Sequence, residues 1–264
     1  MEQVPARIRA NTIARKLKAG EDCFGVCMRF ASDAVVEIAG TVGCDFAIVD
    51  MEHEALGLAA AASMIRTADL CGMTPIARVG RRYETIVDPL LSAGAQGFCL
   101  ARVRTRQDVE RLVEAVMYHP LGNRTVYGIG RSGFYGHGID EDQWAADAND
   151  GMYIEIVIEE AEALENLDAI LSHPRVNAVQ FGPKDLRQSL GMPPAERLAE
   201  ILGDAARRVE AHGLSISRSI AGPVAPRASG SVPRNVGDML VAAPTGLLVG
   251  ALSKMAQSIR QPAA

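Results

Sequence analysis

The chain has 264 residues, 48% of them hydrophobic and 22% charged, with a net charge of −5 at neutral pH. That balance supplies material for a full core and excludes a largely disordered chain, while the acidic excess excludes a general nucleic-acid surface, which needs clustered Lys and Arg. No run approaches the roughly 18 apolar residues of a membrane helix, and Met1 to Lys18 is charged and polar rather than signal-like, so a cytoplasmic protein that does not engage membranes is expected.

A helix is predicted from Asn11 to Ala19, ended by Gly20, followed by a strand from Cys23 to Met28 and a helix from Asp33 to Thr41. The unit then repeats. Strands Asp45 to Asp50, Thr74 to Val79 and Gly97 to Ala101 alternate with helices Leu58 to Cys71, Glu84 to Ala93 and Arg106 to Met117. The Gly-rich stretch from His119 to Asp140 breaks the rhythm, and its segment Arg131 to Gly136 has the composition of a substrate-covering loop or a subunit contact.

Strand Met152 to Ile158, helix Ala161 to Leu171, strand Ala178 to Phe181, helix Pro194 to His212 and strand Leu214 to Ser219 follow. A last strand falls at Asp238 to Ala242 or Gly246 to Val249, before a closing helix from Leu252 to Ile259. The stretch Ala221 to Gly237 reads as a flexible insertion. About eight strands alternating with helices specify the α/β class, as a (β/α)8 TIM barrel, with residues 1–264 forming one domain. The cysteines Cys23, Cys27, Cys44, Cys71 and Cys99 lack CxxC spacing and read as reduced core residues.

Parallel strands buried on both faces are continuously apolar, so ionisable groups belong where a strand leaves the core, which in a β/α barrel is the catalytic rim. Here Phe46-Ala47-Ile48-Val49 ends on Asp50-Met51-Glu52-His53, Pro75-Ile76-Ala77 on Arg78, Ile156-Val157-Ile158 on Glu159, and Val179-Gln180-Phe181 on Gly182-Pro183-Lys184-Asp185. Glu159 and Asp185, from successive strands, offer the anionic oxygens a hard divalent ion needs; rim ion pairs are the alternative. The Gly182-Pro183-Lys184 turn exposes N–H groups suited to an anion, though any strand-to-helix turn has the same form. His53, three residues after Asp50, suits an acid–base pair in which the carboxylate fixes the imidazole tautomer. Arg78 suits a carboxylate or a developing enolate, with a Glu52 ion pair as the rival or concurrent role.

These residues make the chain resemble the HpcH/HpaI family of class II pyruvate aldolases. The resemblance is carried by Gly43-Cys44-Asp45-Phe46 leading into Asp50-Met51-Glu52-His53, then Pro75-Ile76-Ala77-Arg78-Val79, Gly94-Ala95-Gln96, Tyr118 to Arg124, Arg131 to Gly136, and Gly182-Pro183-Lys184-Asp185-Leu186. It implies a barrel of the phosphoenolpyruvate/pyruvate superfamily type, assembled as a homo-oligomer (a hexamer, or trimer of dimers) whose last helix is exchanged between subunits. It also implies that Glu159 and Asp185 bind Mg2+, or Mn2+, Co2+ or Zn2+, with a 2-oxo acid and an aldehyde as small-molecule partners. Arg78 would stabilise the enolate, and His53, oriented by Asp50, would move the proton.

The chain departs from the family pattern at several points. Val157 stands where a glutamine that helps hold the oxo acid is usual, Glu160-Ala161 where Thr-Arg is usual, Leu100-Ala101-Arg102 where the strand usually ends in Val-Pro, and Ala243-Pro244-Thr245 in place of Gly-x-Asp. The expected function is a metal-dependent carbon–carbon lyase working through a pyruvate-type enolate. Alternatives are a decarboxylase of a β-oxo acid, which uses the same enolate, and a non-catalytic oligomeric binding protein that kept the barrel.

Overall fold

The structure, a computed structural model, describes residues 11–220 and 236–260. Eight strands, β1 (Cys23–Met28), β2 (Phe46–Asp50), β3 (Thr74–Val79), β4 (Gly97–Leu100), β5 (Tyr153–Ile158), β6 (Ala178–Phe181), β7 (Ser215–Ile220) and β8 (Met239–Ala242), run parallel and close into a barrel in chain order, β8 pairing with β1. The expected (β/α)8 architecture is therefore present. Around it lie α1 (Thr12–Lys18), α2 (Asp33–Thr41), α3 (Leu58–Leu70), α4 (Val87–Ala93), α5 (Arg106–Val116), α6 (Glu141–Gly151), α7 (Ala161–Glu165), α8 (Leu167–Leu171), α9 (Pro183–Ser189), α10 (Ala195–Ala211) and α11 (Pro244–Arg260).

Alternation along the strands separates two apolar layers, because successive side chains point to opposite faces. Phe46, Ile48, Ile76, Cys99, Tyr153, Val157, Met239 and Val241 pack in one cluster inside the barrel. Residues of the other parity, such as Ala47, Val49, Ala77 and Ile156, pack against the helices. On α3 the buried residues Ala61, Met64, Ile65 and Ala68 follow the i, i+3, i+4, i+7 spacing of a helix stripe. Helix starts have local causes: the Asn11 side chain accepts from Ile13 N, the Ser32 side chain from Val35 N, and Thr105 with Asp108 forms a capping box.

Several expectations change. The predicted helix from 161 to 171 is two helices that meet at Asn166, whose Nδ2 donates to the carbonyl of Arg104. Residues 141–151 form α6, started by Asp140 accepting from Gln143 N and seated by buried Trp144. The last strand is Met239–Ala242, and 246–249 lies in α11. Residues 221–235 of the predicted insertion lie outside the described residues. Cys71 is exposed, unlike the other four cysteines, and all five are free thiols.

The segment Arg131–Gly136 forms a short 3-10 turn at the end of the barrel where the strands begin. With Asn11, Gln96 and Met152, at the N-terminal ends of β4 and β5, it encloses a cavity of about 220 Å3. An ion pair from Arg131 to Asp69 and a 2.8 Å bond from Trp144 Nε1 to the Ser132 carbonyl hold it there. Within its own chain this loop does not cover the site.

Candidate active site

The C-terminal ends of β2, β3, β5 and β6 bring the predicted ionisable residues to one mouth. Asp50 closes β2 fully buried, and its Oδ1 accepts the backbone N–H groups of Glu52 (3.0 Å) and His53 (3.2 Å). This Asx turn bends the chain off the strand and carries both side chains over the barrel. Asp50 was expected to hold the imidazole; in the structure its Oδ1 holds the His53 backbone instead, while Oδ2 is buried at the strand end without a hydrogen bond.

The imidazole has other neighbours. Arg78, paired with Asp50 in the β2–β3 register and 8% exposed, donates from Nε to Glu52 Oε2 at 2.8 Å, with Nη2 at 2.7 Å from the same oxygen. His53 Nε2 lies 3.3 Å from Arg78 Nη2 and 3.3 Å from Glu52 Oε2. A neutral ring can accept from Arg78 at Nε2 with its proton on Nδ1, and a protonated ring can donate from Nε2 to Glu52. Of the two roles expected for Arg78, the ion pair with Glu52 is present. Its Nη1 makes no hydrogen bond among the described residues and stays available to an anionic oxygen.

Across the mouth, Glu159 follows β5 directly and is 4% exposed. Its Oε1 accepts the backbone N–H of Arg102 at 2.9 Å. Burial, then the like charges of Glu52 and Asp185, push its carboxyl above the usual range, against the opposing effect of Arg78 and the Arg102 N–H. Gly182 caps α9 with Pro183 at its first position, which sets Asp185 in the first turn. Glu52, His53, Glu159 and Asp185 share with Arg102 and Arg104 a cavity of about 360 Å3. Lys184 is exposed on α9, and neither it, Gly182 nor Pro183 lines this cavity.

The donor set fits a divalent cation. Among the described residues no three His, Cys, Asp or Glu groups form a closed metal cage. Two carboxylates crowded by a third are what a hard ion relieves while leaving positions for substrate oxygens. Val157, where the resemblance expects a glutamine, is buried in the apolar cluster inside the barrel and does not line this cavity.

Two features escaped the sequence reading. Glu155 lies inside the barrel with no exposure, in register with Cys99 and through it with Arg78, and neither carboxyl oxygen is hydrogen-bonded. Burial pushes its pKa up to about 7, although Ser217, Arg78 and Cys99 favour the charged form. Its only signal was an acid in the middle of an apolar strand. The second is a set of arginines, Arg81, Arg102 and Arg104, around Glu160 beside the cavity.

The model of the HpcH/HpaI aldolase/citrate lyase family matches residues 6–223. The chain belongs to this family. It is 33% identical over 183 residues to the hydroxypyruvate/pyruvate aldolase of Sagittula stellata, covering 69% of this chain and 71% of that one. It is 29% identical over 208 residues to the 2-keto-3-deoxy-L-rhamnonate aldolase of Klebsiella pneumoniae, covering 77% of each. The crystal structure of an HpcH/HpaI aldolase from Desulfitobacterium hafniense superposes with a TM-score of 0.82 at 26% identity, over 95% of this chain and 97% of that one. As a member, the chain is a carbon–carbon lyase of the aldolase type.

Proposed function

We propose that the chain is a divalent-metal-dependent aldolase that makes or cleaves the aldol bond of a 2-oxo acid through a pyruvate-type enolate. The observation that carries this reading is the facing arrangement at one barrel mouth: the Glu52–Arg78–His53 cluster on one side, Glu159 and Asp185 on the other. Pyruvate or a close 2-oxo acid is the donor, in keeping with the names of the relatives.

Glu159 and Asp185 hold the ion, Mg2+ by preference, with Mn2+, Co2+ or Zn2+ as substitutes. When bound, it supplies Lewis-acid stabilisation of substrate carboxylate and keto oxygens. In cleavage, His53, with its Nε2–H directed at Glu52 Oε2, takes the proton of the substrate hydroxyl at Nδ1 as the carbon–carbon bond breaks. The bonding pair moves into the donor half, the hydroxyl carbon leaves as aldehyde, and negative charge gathers on the former keto oxygen. Arg78, already held as a cation by Glu52, faces that charge through Nη1, so its hydrogen bond strengthens as the enolate forms. The proton held by His53 returns to the enolate carbon, which completes the oxo acid and restores the neutral imidazole. Asp50 keeps His53 in place through the backbone.

On α11, Leu247, Leu248, Val249, Leu252, Met255 and Ile259 are 47–80% exposed. Such an apolar face supports a homo-oligomer in which this helix packs on a neighbouring subunit, as a hexamer or trimer of dimers. No helix among the described residues is long and apolar enough to cross a membrane. A cytoplasmic location is part of the reading.

The test is exchange of pyruvate methyl protons with solvent deuterium, followed by NMR with Mg2+ or Mn2+ present. Exchange is expected because enolate formation needs no aldehyde. Its absence with pyruvate and with hydroxypyruvate would move the assignment to the non-catalytic alternative, and carbon dioxide release from oxaloacetate without aldol addition would favour decarboxylation.

A further inference from the structure

The rim beside Glu159 carries more positive charge than the aldol reaction itself uses. Glu160 is largely buried, and each of its oxygens meets a different arginine: Oε1 accepts from Arg102 Nε at 2.8 Å, and Oε2 accepts from Arg104 Nε. Arg81 approaches both oxygens at 3.4 Å through Nη2. Burial alone would favour a protonated Glu160, but Arg104, Arg102 and Arg81 hold its carboxyl below the usual range. A guanidinium has five N–H donors. Arg102 and Arg104 each engage Glu160 through Nε, and their terminal nitrogens make no hydrogen bonds to the described residues. Glu160 therefore works as a clamp that sets two guanidinium forks beside each other with their outer ends unspent.

The backbone fixes this arrangement to the catalytic groups. Arg102 has φ +59°, a left-handed conformation uncommon for a residue with a side chain and found most often where function holds it. The strained residue is pinned twice: its N–H donates to Glu159 Oε1 at 2.9 Å, and its carbonyl accepts from Arg81 Nε and Nη2 at 3.2 and 3.1 Å. Both Arg102 and Arg104 line the cavity that holds His53, Glu159 and Asp185. Opposing acidity comes from Glu160, from Glu162, 3.7 Å from Arg104 Nε, and from Glu159 and Glu52, whose charges also act on Arg102; the Arg102 and Arg104 side chains make no hydrogen bond to Glu162, Glu159 or Glu52.

We infer that Arg102 and Arg104 bind an anionic terminus on the acceptor aldehyde, so that the natural acceptor carries a carboxylate or a phosphate ester. The inference rests on the aldolase reading above and adds the class of its second substrate. Paired guanidinium forks match either anion bidentately, and a cavity shared with the metal carboxylates sets that anion at the end of the acceptor remote from the new bond.

The experiment compares kcat/KM for addition of pyruvate to three aldehydes: succinic semialdehyde, glyceraldehyde 3-phosphate and neutral butyraldehyde. The wild-type enzyme is expected to prefer one charged acceptor over butyraldehyde by at least about tenfold, the scale of a charge-assisted hydrogen bond. Whichever charged aldehyde gives the higher ratio identifies the anion. Arg104→Met and Arg102→Met should each lower that ratio roughly tenfold, and Arg104→Lys should restore part of it. A merely structural cluster would instead depress charged and neutral acceptors alike and leave the ratio where it was; that result overturns the inference, as does a wild-type ratio near one. Deuterium exchange into pyruvate separates the two levels. Exchange with a ratio near one defeats the acceptor assignment alone, whereas absent exchange removes the aldolase reading and this inference with it.

Discussion

A Cβ placed on Gly182 would lie 2.5 Å from Oε2 and 2.6 Å from Cβ of Glu159. Contacts that short do not occur between real atoms, so the absence of a side chain at 182 lets β5 and the β6–α9 turn close around the carboxylate. The backbone at Gly182 (φ −98°, ψ 81°) is open to other residues, which makes space the only requirement. Gly182→Ala should displace Glu159 and lower kcat/KM by roughly 10²-fold, the scale of a misplacement near 1 Å. Steady-state kinetics beside a thermal melt check this. Wild-type turnover in a folded variant would show that Glu159 has room to shift without consequence.

In the proposed metal site, Glu159→Gln and Asp185→Asn would each remove one of two anionic ligands, and a site with no third carboxylate ligand could not absorb that loss. Calorimetric titration with Mn2+ should show binding in wild type and none in either variant, with circular dichroism unchanged. Chelator should inactivate the wild-type enzyme and added Mg2+ should restore it. Retained Mn2+ binding in both variants would place the ion elsewhere.

His53→Ala should lower turnover by roughly 10²–10⁴, the range for a general acid–base group, with metal affinity preserved. Arg78→Ala should cut the deuterium exchange of pyruvate by roughly 10²–10³, as for loss of an oxyanion donor. The two variants differ in their pH–rate profiles: the limb assigned to the imidazole should vanish in His53→Ala and persist in Arg78→Ala. Identical profiles would argue against proton transfer by His53.

Glu155 links stability to pH. Its carboxyl titrates near 7 in the folded barrel because burial penalises the charge, against an ordinary value of 4.5. A pKa raised on folding contributes stability that is complete below about 4.5 and is lost as pH rises through 7. The loss approaches 1.4 kcal/mol per pH unit and totals about 3 kcal/mol. Glu155→Gln should lack this component, so wild type should lose stability relative to it between pH 5 and 8 in urea titrations. A constant difference across that range would mean that Glu155 is ionised in the barrel throughout.

The barrel and the rim carboxylates were legible because both depend on short-range pattern. Apolar runs of strand length mark the β elements, and an acid or arginine at the end of such a run, or within the short turn after it, has few places to go except the mouth, which is how Asp50, Arg78, Glu159 and Asp185 stood out. Helices α6 and α9 were missed because Gly- and Pro-rich flanks outweighed their weak periodicity.

What only the tertiary structure decided is which groups meet. His53 follows Asp50 by three residues, and that proximity suggested a pair; the Asx turn uses Oδ1 of the carboxylate on the backbone, and the ring lies against Arg78 and Glu52, 25 residues and one residue away. Arg102 and Glu160 stood in the sequence as two unrelated departures from the family pattern, 58 positions apart, until closure of β4 against β5 joined them through one hydrogen bond. The apolar run around Glu155 shows that it belongs to a strand, but the height of its pKa comes from the dry interior that eight strands enclose together. Sequence pattern determines where a side chain leaves the backbone and toward which face; burial, charge neighbours and partner distance come into being when distant strands close, and those decide its chemistry.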